Sequence, residues 1–132
     1  MIFDPITHEV KAILDWELST LGNPIADFTY HMMSWRLPAG AKGLGMMGSD
    51  LKSLNIPSES EYAELYYNKT GREKIDNWDF YMAYNIFRLA GIAQGIVGRV
   101  RDGTASSSEA KNYEAFVPIL GKLGWSIVEG IK

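Results

Sequence analysis

The chain has 132 residues, enough for one domain that buries roughly two-thirds of the surface its unfolded form exposes. Its 46% hydrophobic and 22% charged content is that of a folding chain, and a net charge of -3 with no run of Lys or Arg argues against a nucleic-acid partner. The absence of cysteine excludes disulfides and thiolate metal sites and fits a cytoplasmic location; Asp4 and Pro5 interrupt any signal-peptide core, and no apolar stretch approaches the roughly 18 residues of a membrane span.

Met1 to Phe3 and Val10 to Leu14 read as two short strands around the turn-forming stretch Asp4-Pro5-Ile6-Thr7-His8-Glu9, so a small antiparallel hairpin is expected. Ile13-Leu14 then delivers a carboxylate, Asp15, to the end of the second strand. After the turn Gly22-Asn23-Pro24, a helix is expected over Ile25 to Leu37, ended by Pro38, with a second carboxylate, Asp27, near its start. A strand-end carboxylate beside a turn suits a phosphate-bound Mg²⁺, which takes one or two protein carboxylates plus substrate phosphates. The plainer alternative leaves Asp15 on the surface and Asp27 capping its own helix. Glu17 joins Asp15 as a ligand only if the strand continues.

Residues 38 to 49 read as a Gly-rich loop, and Ser49 to Leu54 as one helical turn. Within that loop, Gly43-Leu44-Gly45-Met46-Met47-Gly48 matches the dinucleotide fingerprint G-x-G-x-x-G, which works only between a strand and a helix. No strand precedes it, so a mobile loop is the expectation. Ser58-Glu59-Ser60-Glu61 matches a capping box that opens a helix to about Lys69, with Gly71 just beyond its end. The longest helix is expected from Trp78 to Arg101, apolar on most of its circumference and therefore central. Gly91, Gly95 and Gly98 form a stripe on it that would admit a neighbouring helix. Within it, Arg88 stands between Phe87 and Leu89, which implies a buried guanidinium needing an acidic mate or a cleft. The aromatic set Trp78, Phe80, Tyr81, Tyr84 and Phe87 reads as core, with Trp78 and Tyr81 placed to line a rim. A last helix is expected over Ser108 to Glu129, bent near Pro118.

The run Leu14-Asp15-Trp16-Glu17-Leu18-Ser19-Thr20-Leu21-Gly22, followed by Asn23-Pro24 and Ala26-Asp27, resembles the C-lobe of the aminoglycoside phosphotransferase and choline kinase-like superfamily. The nearest likeness is to the kinase-like domains fused to, or encoded beside, acyl-CoA dehydrogenases. Ile75 to Ala83, Phe87-Arg88, Gln94-Gly95 and Gly103 to Ser107 are similar to that subgroup too. Asn23 departs from it, since the family more often has Asp there.

The resemblance implies a mainly α fold with a short N-terminal β-hairpin, a protein-kinase-like C-lobe forming one domain over residues 1–132. It implies that Asp15 is the Mg²⁺-binding aspartate and that Asp27 braces the catalytic loop. Arg88, Trp78 and Tyr81 fall on the substrate side. The family's cofactors are ATP and Mg²⁺, and its substrates are small hydroxyl compounds, here implying a hydroxyacyl-CoA. Family members carry a His-Gly-Asp-x-x-x-x-Asn loop directly before a segment like Ile2-Phe3-Asp4-Pro5. These 132 residues hold neither that loop nor an N-lobe. The expectation is a C-terminal fragment, inactive alone and binding neither cofactor tightly, whose exposed cleft face or hairpin edge pairs it into a homo-oligomer. The alternative is a helical module that binds an acyl-CoA or a protein partner without catalysis.

Overall fold

The structure, a computed structural model, describes residues 1–40 and 45–131. It is mainly helical, with one small antiparallel hairpin at the N-terminus. Strand β1 (Ile2–Phe3) pairs with β2 (Val10–Ala12), Ile2 opposite Ala12 and Phe3 opposite Val10, with a bulge between the two pairs. The connection is organised by Asp4, whose Oδ1 accepts from the backbone N–H of Ile6 at 2.8 Å and of Thr7 at 2.9 Å. These bonds, Thr7 first, hold the Asp4 carboxyl below its ordinary range. The ladder ends at Ala12 rather than Leu14, because a two-residue β1 leaves nothing further to pair with.

Four helices follow: α1 (Pro24–Met32), α2 (Glu59–Thr70), α3 (Trp78–Arg101) and α4 (Tyr113–Gly130). Helix α1 starts on Pro24, whose missing N–H is one the first turn would not use, and Asn23 caps it by accepting from the Ile25 N–H at 2.9 Å. It stops five residues short of Leu37. The chain tightens into a 3₁₀ turn over Met33–Trp35 as it approaches Pro38, which disfavours helical geometry in the residue before it. In the segment beyond, Met46 N–H donates to Ser34 C=O and Met47 N–H to Leu37 C=O, at 2.8 and 2.9 Å. The expected mobile loop is therefore tied down over Gly45 to Gly48, while Gly43 and Leu44 of that motif lie outside the described residues. A Cβ on Gly45 would fall 1.9 Å from the Pro38 carbonyl oxygen, so this glycine permits a backbone crossing. Over residues 49–54 the chain turns without forming a helix.

Helix α2 carries the expected capping box, with Ser58 and Glu61 each bonding the other's backbone N–H, and ends on Gly71 at φ 66°. Helix α3 has the expected bounds. The last helix is shorter at its start than expected: Ser107 caps a 3₁₀ turn over Ser108–Asn112, and α4 proper begins at Tyr113, with Pro118 inside it.

The core lies where α1, α3 and α4 meet, around Met32, Leu37, Met82, Ile86, Leu89, Phe116 and Leu120. Gly124 of α4 supplies the close approach, its ideal Cβ position lying 3.4 Å from Ile86 Cγ2. Positions 91 and 98 of the expected glycine stripe face open space, and Gly95 meets only the end of the Arg99 side chain. Helix α2 attaches differently, through rings and charges: Phe28 stacks on Tyr66 at 3.8 Å, and Trp35 lies 5.0 Å from Tyr62. No described helix is long and apolar enough to cross a membrane.

Candidate functional site

The turn that follows the hairpin and the first turn of α1 carry the two carboxylates singled out in the sequence. Asp15 adopts the left-handed conformation, φ 73° and ψ 44°, and its carboxylate is exposed. For a residue other than glycine this conformation is uncommon, though Asp tolerates it better than most. It occupies the N-cap position of a 3₁₀ turn over Trp16–Leu18, yet its side chain makes no capping hydrogen bond. Instead the turn is secured from the other side, where Trp16 Nε1 donates to the Ile13 C=O at 2.6 Å. The Asp15 carboxylate is thus not spent on local structure. Glu17 sits inside that 3₁₀ turn, so no strand continues to bring the two side chains onto one face. No group of three or more His, Cys, Asp or Glu able to hold a metal exists among the described residues. A single free carboxylate beside a turn still suits a Mg²⁺ that arrives with a polyphosphate, because most of that ion's ligands are then phosphate and water oxygens.

Asp27 stands exposed in the first turn of α1, where the partial positive charge of the helix end favours a carboxylate. Helix α3 fixes the position of that turn. Tyr81 OH accepts from Asn23 Nδ2 at 2.9 Å, and one turn later the fully buried Asn85 donates through Nδ2 to Ala26 C=O at 2.9 Å and to Thr29 Oγ1 at 2.8 Å. Asn23 therefore works with both ends of its amide, capping α1 and bonding α3. An Asp at this position would also be accommodated, since a phenol can donate to a carboxylate as readily as accept from an amide.

Tyr81 and Trp78 are half-buried and hydrogen-bonded, and Trp78 lines a cleft. Trp78 Nε1 donates to Glu59 Oε1 at 2.7 Å, and the Arg36 guanidinium grips the same Glu59 carboxylate through Nε and Nη2 while Nη1 bonds Asp79. Burial alone would lower the Arg36 pKa, but hydrogen bonds and charge from Glu59 and Asp79 outweigh it and hold the group above its ordinary value. This clasp joins the C-cap of the 3₁₀ turn after α1 to the starts of α2 and α3 and borders a cleft of about 510 Å³ that also contains Tyr67 and Lys74. Sequence reading did not find it, because Arg36 lies 23 residues from Glu59 and 43 from Asp79.

Arg88 corrects the sequence reading. It is exposed, with its guanidinium carbon 4.9 Å from the centre of the Tyr30 ring, so a cation–π contact takes the place of the expected buried ion pair. The aromatic core reading is corrected as well: Phe80, Tyr84 and Phe87 are exposed along one side of α3.

Compared with known proteins, residues 1–65 match the family model described as phosphotransferase enzyme family. Acyl-CoA dehydrogenase family member 10 of Mus musculus is 42% identical over 126 residues, which are 95% of this chain and 12% of that protein. Acyl-CoA dehydrogenase family member 11 of Homo sapiens is 34% identical over 125 residues, 94% of this chain and 16% of that protein. A probable acyl-CoA dehydrogenase of Arabidopsis thaliana, IBR3, is 33% identical over 116 residues, 83% of this chain and 14% of that protein. The chain thus spans between 12 and 16% of the length of these relatives. No solved structure matches it.

Proposed function

Since this chain belongs to the phosphotransferase enzyme family, with relatives among the acyl-CoA dehydrogenase family members, we propose that it is the C-lobe portion of an ATP-dependent small-molecule kinase. The acceptor is a hydroxyl compound, and the acyl-CoA association of the relatives favours a hydroxyacyl-CoA. The observation that carries this reading is Asp15, an exposed carboxylate on a left-handed residue, free of local bonds and inside the segment that matches the family model.

Asp15 is the residue that would hold Mg²⁺. Bound there together with ATP, the ion would supply charge stabilisation to the transferred phosphoryl group. The chain's own residues supply position. Asp15 sits on a left-handed turn just beyond β2, and Tyr81 and Asn85 keep the first turn of α1, with Asp27, at a constant place relative to α3. In this reading Asp27 braces neighbouring backbone and does not touch nucleotide. Phosphoryl transfer rests on positioning and charge stabilisation by many parts acting together. Within these 132 residues only Asp15 corresponds to one of the metal-side groups, so the chain by itself does not turn over and holds ATP and Mg²⁺ weakly.

The test uses the full reading frame of the source organism. Asp15→Asn should lower kcat for ATP-dependent phosphorylation of a hydroxyacyl-CoA by about 100-fold or more, with the circular dichroism spectrum unchanged. Wild-type turnover in that variant would remove Asp15 from the mechanism. The purified 132-residue chain should show no phosphorylation of the same substrate, and measurable turnover would refute its inactivity. A second reading, a helical binding module without catalysis, is favoured by the apolar face that α3 and α4 leave uncovered.

A further inference from the structure

Helices α3 and α4 pack closely through Gly124 and Ile86 yet leave a continuous apolar face turned outward. Phe80, Tyr84 and Phe87 stand on α3 at helical spacing, and Trp125, Val128 and Ile131 stand on α4. Together they line a groove of about 660 Å³. The four aromatic side chains are 56, 49, 76 and 62% exposed in chain order, far from the burial expected of a central helix.

We propose that this groove is a homodimer interface, occupied by the same face of a second copy of the chain. The area argues for it. Aromatic side chains of this size present roughly 150–250 Å² each, so the four leave about 500 Å² in water and the two aliphatic neighbours bring the patch to about 600 Å². That is the upper end of what an ordinary monomer exposes in one patch. Two copies would remove about 1,200 Å², which reaches the lower bound of specific interfaces. The chemistry argues for it too. Among the described residues no Asp, Glu, Lys or Arg lines the groove, and interface centres are depleted of charge in the same way. Trp125 Nε1 is already satisfied by Glu129 at 2.9 Å, so its indole can be covered without losing a bond. The hairpin edge is a poorer candidate, because strands of two and three residues offer few backbone pairs. The interface requires neither nucleotide nor catalysis and stands apart from the phosphotransferase reading.

Sedimentation velocity on the 132-residue chain tests it. The molar mass should rise from one copy toward two as concentration increases, with a dissociation constant of micromolar order for an interface of this size. Phe87→Lys and Trp125→Glu each alter an exposed side chain, and each should weaken association by at least about tenfold with unchanged helical content. On dilution, backbone amide shifts of wild type should move along the outward faces of α3 and α4. Ile2→Lys, on the hairpin edge, should leave association as it is. A single copy at every concentration, or dissociation by the hairpin variant and not by the groove variants, would overturn the proposal.

Discussion

At the scale of single residues, a consequential side chain is the buried amide of Asn85, because it hydrogen-bonds the middle of α3 to two groups of α1. Asn85→Ala leaves Ala26 C=O without this donor and opens a small cavity. We expect a loss of about 2–3 kcal/mol, read as a lower urea midpoint at constant slope. Arg36 is a second such point. Lys has no planar fork to span Glu59 and Asp79 together, so Arg36→Lys should destabilise by about 1–2 kcal/mol. A double-mutant cycle with Glu59→Gln should recover a coupling of that order, and additivity would show that the clasp contributes nothing. The two classes of residue also differ in how visible they were beforehand. Asp15 and Asp27 sit in a contiguous run, so a resemblance carried by that run can single them out as candidates. Arg36, Glu59 and Asp79 come together only through the fold, and no local pattern marks an ion pair whose members are 23 and 43 residues apart.

At the scale of elements, boundaries were well marked wherever a cap wrote them. The Ser58–Glu61 box and Gly71 bracket α2, and α3 runs from Trp78 to Arg101 as its pattern indicates. Ser58→Ala should cost about 1 kcal/mol, visible in thermal melts, because the orphan N–H of Glu61 loses its acceptor. What periodicity could not reveal was the fate of each apolar face. It identified the aromatic side of α3 correctly as apolar, but a repeat of 3.6 residues says nothing about whether another element covers it. The glycine stripe was misread for a related reason, since small residues permit close approach without requiring a neighbour. Because a Cβ at Gly91 or Gly98 would meet nothing within 4 Å, replacing either by Ala should raise stability by about 0.5–1 kcal/mol through helix propensity. Gly45→Ala should act in the opposite sense, since its Cβ would collide with the Pro38 carbonyl. Destabilisation at positions 91 and 98 would mean that the stripe is in contact after all.

At the scale of the whole molecule, stability should fall at both ends of the pH range. Asp4 and Glu61 are held below their ordinary values of 3.8 and 4.5, by backbone bonds from Thr7 and Ile6 and by Ser58 respectively. Their stabilisation is complete above those values and disappears as pH falls through the lower folded-state ones. Tyr67 is pushed above its ordinary 10.0 by burial, so its contribution is complete below pH 10.0 and disappears as pH rises through the folded-state value. Thermal melts across pH should show both limbs, and the acid limb should shrink in Ser58→Ala. The manner in which α2 is attached has a further consequence. Helices α1, α3 and α4 share an apolar core, whereas α2 is joined by stacked rings and the Arg36–Glu59 pair. Ions weaken that pair and leave the core untouched. Amide hydrogen exchange over Glu59–Thr70 should therefore quicken with ionic strength while the buried turns of α3 keep their slow rates. The molecule would then open first at α2, whose attachment rests on charge rather than on the shared apolar core.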